Sequence, residues 1–304
     1  MNARMALTAL LGSGLLFLSA CEATSEPRLE KWSEPVFAGI PDAAQLDELS
    51  GLTRSNIHPG IFWAINDGDN ATQMIAIDAR AKTVAVVTLD GVVNTDWEDI
   101  SNYRLDGKNY IAIADTGDNG GVRDELAIHI FEEPAQLVAG QHIKPYRSLR
   151  FVWPDGPRDA EALMTDTEAR QFLLVSKKRV PAELYALSFD AKDGSSPSII
   201  GRFEGISQPD AATMNSKGDY GRYRSQITAA DLSPDNKTIA LLNYQQINFF
   251  DRPSAKHPNV SPRQTLTLPW LPQAESIAYS EDGNSLFVGS EQSPSPIIRF
   301  DRTP

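Results

Sequence analysis

The sequence predicts an all-β protein, a five-bladed β-propeller with four strands in each blade. A polar residue stands at the start of a short apolar run at five places, namely Ser50, Glu98, Glu161, Thr228 and Glu275. These lead residues are 48, 63, 67 and 47 residues apart, and a repeat near 50 residues is typical of propeller blades. Between them, short β-rich runs alternate with Gly, Asp, Asn and Pro turns, and no convincing amphipathic helix appears.

The β-rich runs fall into groups that would each form one blade. Four groups have four strands: 50–54, 61–66, 73–78 and 83–89; 98–105, 109–114, 126–131 and 148–153; 161–165, 171–176, 184–189 and 198–204; and 228–233, 238–244, 247–251 and 264–269. The fifth group has only three, at 275–280, 285–289 and 297–301. The run at 32–40 would supply its missing strand, which closes the ring and removes an open sheet edge.

Five blades account for residues 32–304, which we expect to form a single domain. Two insertions, at 132–147 and 208–225, are predicted to be surface loops. A sixth blade would have to lie within one of them. Six blades are less favoured because neither insertion carries two β-rich runs.

The first 20 residues are predicted to be a lipoprotein signal peptide. Arg4 precedes an apolar segment at 6–18, which is too short for a membrane-spanning helix. The sequence Leu-Ser-Ala-Cys at 18–21 then resembles a bacterial lipobox, so Cys21 is the expected lipidation site. Cys21 is the only cysteine, so no disulfide can form within the chain. The alternative is ordinary secretion with an incidental cysteine.

The signal and the composition together predict a protein anchored in the bacterial cell envelope. Residues 21–31 would be a tether, and Glu22 differs from the Asp that retains enterobacterial lipoproteins in the inner membrane. We therefore expect an outer-membrane anchor facing the periplasm. The formal net charge of −12 argues against a nucleic-acid partner, because such binding needs a basic surface.

The lead residues are the main candidate site. The first strand of each blade lines the central channel, so equivalent residues on these strands should meet around its axis. Three of the five are carboxylates and two are hydroxyls, a set of oxygen donors that suits a hard cation such as calcium. The sequence therefore predicts calcium held by Ser50, Glu98, Glu161, Thr228 and Glu275. The alternative is a channel capped by hydrogen bonds and water alone.

Two Gly-Asp-Asn loops follow the second strands of the first two blades, at 66–70 and 115–119. Asp67 and Asp115 each lie 17 residues after their lead residue, which makes them candidates for a catalytic carboxylate pair or a second cation site. The alternative is a pair of tight turns built from residues that favour turns.

The third blade carries basic residues in the corresponding stretch. Lys177, Lys178 and Arg179 lie there, and Arg158 precedes the third lead residue. Together they could bind an anion such as a phosphate, or form a solvated basic turn. The four histidines have no metal-type spacing, and we interpret them as structural or surface groups. Neither a Ser–His–Asp triad nor a Gly-x-Ser-x-Gly motif is recognisable.

The order of the lead residues resembles that of calcium-activated nucleotidases of the apyrase type, as does the sequence Glu48-Leu49-Ser50. That family has five blades and a central calcium held by Ser and Glu residues, so the resemblance implies a calcium here, with Thr228 in place of a Ser. Its nucleotide-contacting segments have no recognisable counterpart in this sequence. The resemblance therefore does not imply nucleotidase activity.

Several segments also resemble bacterial secreted propellers described as phytase-like or esterase-like. They are Leu-Ser-Gly-Leu at 49–52, Trp-Glu-Asp-Ile at 97–100, Ile-Ala-Asp-Thr-Gly-Asp-Asn at 113–119, Ala-Glu-Ala-Leu at 160–163 and Ala-Asp-Leu-Ser-Pro-Asp at 230–235. This resemblance extends over most of the chain after the signal peptide. It implies the fold rather than a particular chemistry.

Two functions follow from these observations. The first is a calcium-binding module that binds or assembles with a partner protein or a phosphorylated small molecule. The second is a calcium-dependent hydrolase of phosphate esters or phosphoanhydrides, in which the metal, Asp67 and Asp115 orient water and the basic residues offset phosphate charge. We favour the first because no general base is recognisable.

Overall fold

The chain is almost entirely β-structure. A computed structural model describes residues 30–42, 44–215 and 221–303, so the predicted signal peptide, the lipidation site Cys21 and most of the tether lie outside the described residues. In chain order the strands are β1 (Lys31–Trp32), β2 (Val36–Gly39), β3 (Leu49–Arg54), β4 (Ile61–Asn66), β5 (Gln73–Asp78), β6 (Thr83–Leu89), β7 (Trp97–Leu105), β8 (Lys108–Asp115), β9 (Leu126–Glu132), β10 (Gln141–Ile143), β11 (Arg147–Phe151), β12 (Ala160–Asp166), β13 (Gln171–Ser176), β14 (Ala182–Ser188), β15 (Ser198–Phe203), β16 (Ile227–Leu232), β17 (Thr238–Asn243), β18 (Gln246–Asp251), β19 (Asn259–Val260), β20 (Gln264–Thr267), β21 (Ala274–Tyr279), β22 (Ser285–Ser290) and β23 (Ile297–Thr303). A short helix α1 (Ala211–Met214) and a 3₁₀ turn (Gly221–Tyr223) lie between β15 and β16.

The strands form five sheets, each of which is one blade. The inner strands of blades 1 to 5 are β3, β7, β12, β16 and β21, and each sheet continues outward from its inner strand. Each inner strand packs against the inner strands of the two neighbouring blades, so the five form a closed ring. The predicted five-bladed propeller is confirmed. Among the described residues, no helix is long and apolar enough to cross a membrane.

The N-terminal segment closes the ring as predicted. Both β1 and β2 pair antiparallel with β23, with Lys31 opposite Thr303 and Val36 opposite Arg299. The Trp32 ring stacks on Phe249 of blade 4, with ring centroids 5.5 Å apart. Lys31, the last residue of the predicted tether, belongs to β1.

Two blades carry a fifth strand that the sequence did not predict. β10 lies in the insertion at 132–147 and pairs parallel with β6, the outer strand of blade 1. β19 pairs parallel with β15, the outer strand of blade 3. The insertion at 132–147 is therefore not simply a surface loop. These short strands supply partners for outer-edge backbone groups that would otherwise be open to another chain.

The core lies between neighbouring blades. Alternate residues of each strand face opposite sides of the sheet, so every blade presents an apolar face to both neighbours. Trp63 and Trp97 pack in one cluster between blades 1 and 2. Phe203 and Phe250 make a ring contact between blades 3 and 4 at 4.8 Å. This packing holds the inner strands at fixed positions around the channel.

Every lead residue lies at a break in the register of its inner strand. The breaks fall between Leu49 and Gly51, Trp97 and Asp99, Ala160 and Ala162, Ile227 and Ala229, and Ala274 and Ser276. A β-bulge of this kind leaves one extra residue out of the ladder and redirects its side chain. The five lead residues therefore occupy structurally equivalent positions, as the repeat predicts.

Candidate functional site

A cavity of about 400 Å³ lies at the end of the channel where the bulges occur. Its lining is mostly polar and comprises Asp67, Glu98, Asn119, Glu161, Lys177, Tyr223, Gln226, Tyr244, Gln273, Glu275, Glu291 and Gln292. Five of these residues are carboxylates and one is a lysine. Its position and its excess of negative charge make this central cavity the candidate functional site.

The two hydroxyl lead residues join neighbouring blades. Ser50 Oγ donates a hydrogen bond of 2.7 Å to the carbonyl of Glu98, and Thr228 Oγ1 donates one of 2.7 Å to the carbonyl of Ala274. Each acceptor belongs to the next inner strand around the ring. Both hydroxyl protons are therefore used in holding the ring together, whether or not the oxygens also contact a ligand.

Two of the three carboxylate lead residues have partners that directly follow the second strand of a blade. Tyr244 donates a hydrogen bond of 2.6 Å to Glu275 Oε1. Glu161 forms an ion pair with Lys177, and both side chains are buried. The negative charge of Glu161 is therefore already balanced within the protein.

Glu98 differs from the other lead residues. It is only 6% exposed, and among the described residues no donor forms a hydrogen bond with its carboxylate. Burial raises the pKa of Glu98 well above its ordinary value, and the charge of Lys177 only partly opposes this rise. An ionised carboxylate in this position is costly unless a cation or a proton compensates it.

Glu98 belongs to two groups of three carboxylates whose oxygens approach within 4.8 Å of one another. The first triad is Asp67, Asp96 and Glu98, and the second triad is Glu98, Asp159 and Glu161. Lys177 contacts Glu161, and Lys178 Nζ lies 2.8 Å from Asp159 Oδ2. Among the described residues, no lysine or arginine forms an ion pair with any member of the first triad. The uncompensated charge therefore lies at the first triad.

Asp96 was missed by the sequence analysis. Burial is the largest cause that raises its pKa to about 6, and the nearby charge of Asp67 adds to the rise. A signal was nevertheless present, because the residue two positions before every lead residue is acidic or an amide. These residues are Glu48, Asp96, Asp159, Gln226 and Gln273.

Two glycines allow Asp96 and Glu98 to approach the backbone. A Cβ atom on Gly117 would lie well under 3.0 Å from the carboxylates of both acids. A Cβ on Gly68 would lie 2.9 Å from Asp96 Oδ1. The sequence indicated only that these glycines favour turns, whereas the structure shows that they make room for the first triad.

Asp67 is also in contact with a further acid of the cavity. Glu291 lines the central cavity together with Asp67 and Glu275, and the negative charge of Glu275 raises the pKa of both other acids. Burial is the largest cause that raises the pKa of both Asp67 and Glu291. Because their pKa values are raised, Asp67 and Glu291 hold protons more readily than ordinary carboxyl groups.

The structure does not bring Asp115 to the central cavity. Asp115 lies opposite Trp97 in the ladder, whereas the equivalent position in blade 1 is Asn66, opposite Leu49. The counterpart of Asp67 in blade 2 is therefore Thr116, one residue further along. The equal spacing of 17 was misleading because the first hairpins of the two blades differ in length.

The same register identifies five equivalent residues, one directly after each second strand, and all of them except Thr116 line the central cavity. They are Asp67, Thr116, Lys177, Tyr244 and Glu291, each following the residue paired just before the bulge. In blade 3 this residue is Lys177 rather than Lys178. The predicted equivalence of Lys178 with Asp67 is therefore wrong.

Three of the four candidate anion-binding residues, Lys177, Lys178 and Arg179, line one cavity of about 640 Å³, and Arg158 shares the carboxylates of Asp155 and Glu183 with Arg179. Lys177 and Lys178 face the second triad. Arg158 is stacked near the rings of Trp153 and Tyr185 and forms an ion pair with Glu183. Arg179 lies 3.5 Å from Asp155. Each of the four thus contacts a carboxylate of the protein, and their proposed contact with an external anion stays a prediction.

The comparisons with known proteins place the chain beside solved structures with which it shares little sequence identity. No protein-family model matches the chain, and no curated protein matches it. Among solved structures, Kuenenia stuttgartiensis hydrazine synthase matches with 9% identity over 84% of this chain and 83% of that chain, with a TM-score of 0.47. The WD40 β-propeller domain of Doa1 matches with 12% identity over 83% of this chain and 63% of that chain, with a TM-score of 0.41.

Proposed function

We propose that the protein is a calcium-binding β-propeller that acts as a binding or assembly module of the bacterial cell envelope. One observation carries the proposal. The Glu98 carboxylate is buried, receives no hydrogen bond from the described residues, and meets Asp67 and Asp96 at ligand-to-ligand distances. Carboxylate oxygens that converge in this way suit calcium, which takes 6–8 oxygen ligands in irregular geometry.

The first triad is the proposed place of the cation. Lys177 and Lys178 already provide positive charge to the second triad, so a cation there would meet a lysine on each side. Within residues 30–42, 44–215 and 221–303, the first triad has no such partner. The calcium site would therefore contain one lead residue, Glu98, instead of the whole predicted ring.

The envelope location rests on the N-terminal sequence. Cys21 would carry the lipid, and the residues from Glu22 to the first strand would form the tether to an outer membrane facing the periplasm. The support is the apolar leader and the single cysteine at the end of a lipobox-like sequence.

A binding or assembly role is favoured over phosphate hydrolysis by the contacts of the charged residues. Hydrolysis needs free cationic groups for the phosphate, yet Lys177, Lys178, Arg158 and Arg179 contact carboxylates of the protein. The two candidate catalytic acids, Asp67 and Asp115, also lie in different cavities. The partner would be a protein or a phosphorylated small molecule that contacts the cation-loaded cavity.

A calcium titration tests the proposal. We expect isothermal titration calorimetry to detect one calcium per chain, and the Glu98→Gln variant to lose this binding. A calcium concentration 100 times the Kd stabilises a protein by about 2.7 kcal/mol, which raises the Tm by roughly 5 °C in a domain of this size. Asp282→Asn, which removes an acid from an exposed turn, is the matched control and should bind calcium like the wild type.

Two results would change this conclusion. If the wild type released no heat with calcium and its Tm were the same in calcium and in chelator, the protein would not be a calcium-binding propeller. If nucleotides, phytate or p-nitrophenyl phosphate were turned over with calcium and not by Glu98→Gln, the hydrolase alternative would replace the binding role.

The pH dependence of calcium binding provides a separate prediction. Calcium needs the ionised carboxylate, and the pKa of Asp96 is raised to about 6. Lowering the pH from 7 to 5 should therefore weaken calcium binding about tenfold for each group that becomes protonated. Calorimetry at the two pH values, with protons released on binding measured from the buffer dependence, checks this. Equal affinities at pH 5 and 7 would contradict it.

When a chelator removes calcium, a lower pH should have the opposite effect: it should increase the stability of the folded protein. A raised carboxyl pKa means that the folded protein binds more protons than the unfolded chain between about pH 4 and 6, so this group lowers stability as the pH rises. Denaturant unfolding at pH 5 and pH 7 should show this loss, and Asp96→Asn should reduce it.

A further inference from the structure

Blade 2 contains a second cluster of reactive groups, in a cavity of about 290 Å³ whose lining shares no residue with the central cavity. Asp115 ends β8, His129 lies in the middle of β9, and Ser148 lies on β11. All three side chains line this cavity. The sequence did not indicate such a cluster, because its members come from three different strands.

The strand register explains why the three side chains meet. Ser148 lies directly opposite His129 in the ladder between β11 and β9. On the other side, Ile113 lies opposite His129, and Asp115 is two residues beyond Ile113 on β8. Residues two apart on a strand point to the same face of the sheet. Three neighbouring strands thus place an acid, an imidazole and a hydroxyl on one face.

His129 lies between the other two side chains, in the arrangement that activates a serine nucleophile. His129 Nδ1 and Ser148 Oγ are 2.9 Å apart, within hydrogen-bond distance. On the other edge of the ring, His129 Nε2 lies 3.6 Å from Asp115 Oδ2. His129 is 8% exposed, and its Nε2 has no hydrogen-bond partner among the described residues. Such contacts are often long in the absence of substrate and shorten when it binds.

Arg123 fixes the acid of this cluster. It lies 2.6 Å from Asp115 Oδ1 and also donates a hydrogen bond to the carbonyl of Gly117. Burial works against ionisation of Asp115, but its contacts with His129 and Arg123 together lower the pKa of this carboxyl. Asp115 is therefore held as an anion facing the imidazole, where it favours a proton on Nε2 and leaves Nδ1 free to accept.

We propose that Ser148, His129 and Asp115 form a serine-nucleophile site that hydrolyses small esters. Ser148 Oγ would form a bond to the ester carbonyl carbon while its proton passes to His129 Nδ1. The carbon–oxygen bond to the alcohol would then break, and His129 would return the proton to the leaving alkoxide. Water, activated in the same way, would release the acid and restore the Ser148 hydroxyl.

The outer edge of β11 offers a hydrogen-bond donor for the negatively charged oxygen that forms on the ester carbonyl during hydrolysis. The N–H groups of Arg150 and Val152 point outward from β11, towards Asp193 and Ser195. Alternation along a strand gives the N–H of Ser148 the same outward direction. It can therefore donate to a negative oxygen formed beside its own side chain.

The cavity restricts the substrate class. A volume of about 290 Å³ is at the small end of the range for ligand pockets. Val92 and Val93 form part of its wall, and its two arginines, Arg123 and Arg150, pair with Asp115 and Glu125 of the same lining. These features fit a short-chain neutral ester, because the charges of the lining already balance each other.

Covalent labelling with a fluorophosphonate probe tests the proposal. We expect peptide mass spectrometry to find the label on Ser148 of the wild-type protein, and Ser148→Ala to remove it. His129→Ala should reduce both the labelling and the hydrolysis of p-nitrophenyl acetate by about 100-fold or more. For Asp115→Asn, which acts through His129, we expect kcat to fall with KM little changed.

Ser198→Ala provides the matched control. Ser198 is an exposed residue on β15, the corresponding strand of blade 3, and this variant should label like the wild type. Labelling should also persist in chelator, because the proposed site holds no calcium. The labelling experiment therefore tests the ester-hydrolysing site independently of the calcium proposal. No label on folded wild-type protein, or a label that remains in Ser148→Ala, would overturn the assignment.

Discussion

Replacing Gly117 with alanine is expected to reduce calcium affinity at least 100-fold and to lower the free energy of unfolding by about 1–3 kcal/mol. The added methyl group would lie well under 3.0 Å from the carboxylates of Asp96 and Glu98. Both acids would have to move, or the loop would have to shift. Either change separates the oxygens of the first triad, and a cation site tolerates little displacement of its ligands.

Gly120→Ala is the matched control for this variant. Gly120 belongs to the same loop, but a Cβ there would meet only the Val122 side chain, at 3.6 Å, which is an ordinary contact. Calorimetry with calcium and denaturant unfolding in chelator should therefore separate the two variants. If Gly117→Ala bound calcium as tightly as Gly120→Ala, the first triad would not be the calcium site.

The architecture was largely predictable because the propeller repeats its local pattern. Each blade begins with a polar residue followed by apolar β-structure, and this marks the position of Glu161 as clearly as that of Ser50. Closure by the N-terminal segment followed from counting strands. The extra strands β10 and β19 were not predictable, because a pairing of two or three residues leaves too little pattern in a sequence.

The site was predictable only in part, because its details depend on register. Counting 17 residues from each lead residue grouped Asp115 with Asp67, yet a longer first hairpin in blade 2 places Thr116 at that position. The same count of residues grouped Lys178 with both acids. A spacing identifies a loop, whereas the pairing of individual residues decides which side chain enters the channel.

The charge balance of the site was not accessible from the sequence. Lys177 was expected to bind an external anion, but it lies beside Glu161 within the protein. The ion pair between Lys177 and Glu161 distinguishes the two triads. It balances negative charge in the second triad, whereas the first triad is left for a cation. Whether a lysine compensates a particular carboxylate depends on contacts between blades, which no local pattern specifies.

Replacing Lys177 with methionine is expected to destabilise the protein by about 3–5 kcal/mol in chelator, because removing one member of a buried ion pair leaves the other charge uncompensated. Glu161 would lose its partner, and the pKa of Glu98 would lose the influence that now lowers it. Calcium should then stabilise Lys177→Met more than the wild type, since the second triad becomes available to a cation. Denaturant unfolding with and without calcium measures both effects.

The neighbouring lysine makes this prediction specific. Lys178 pairs with Asp159, but its side chain is 38% exposed, so Lys178→Met should cost less than Lys177→Met. Asp159 also keeps a hydrogen bond of 2.9 Å from the backbone N–H of Asp118. Calorimetry should find more calcium bound per chain in Lys177→Met than in Lys178→Met. Equal stability of the two variants in chelator, with equal calcium binding, would mean that Lys177 does not substitute for a cation at the second triad.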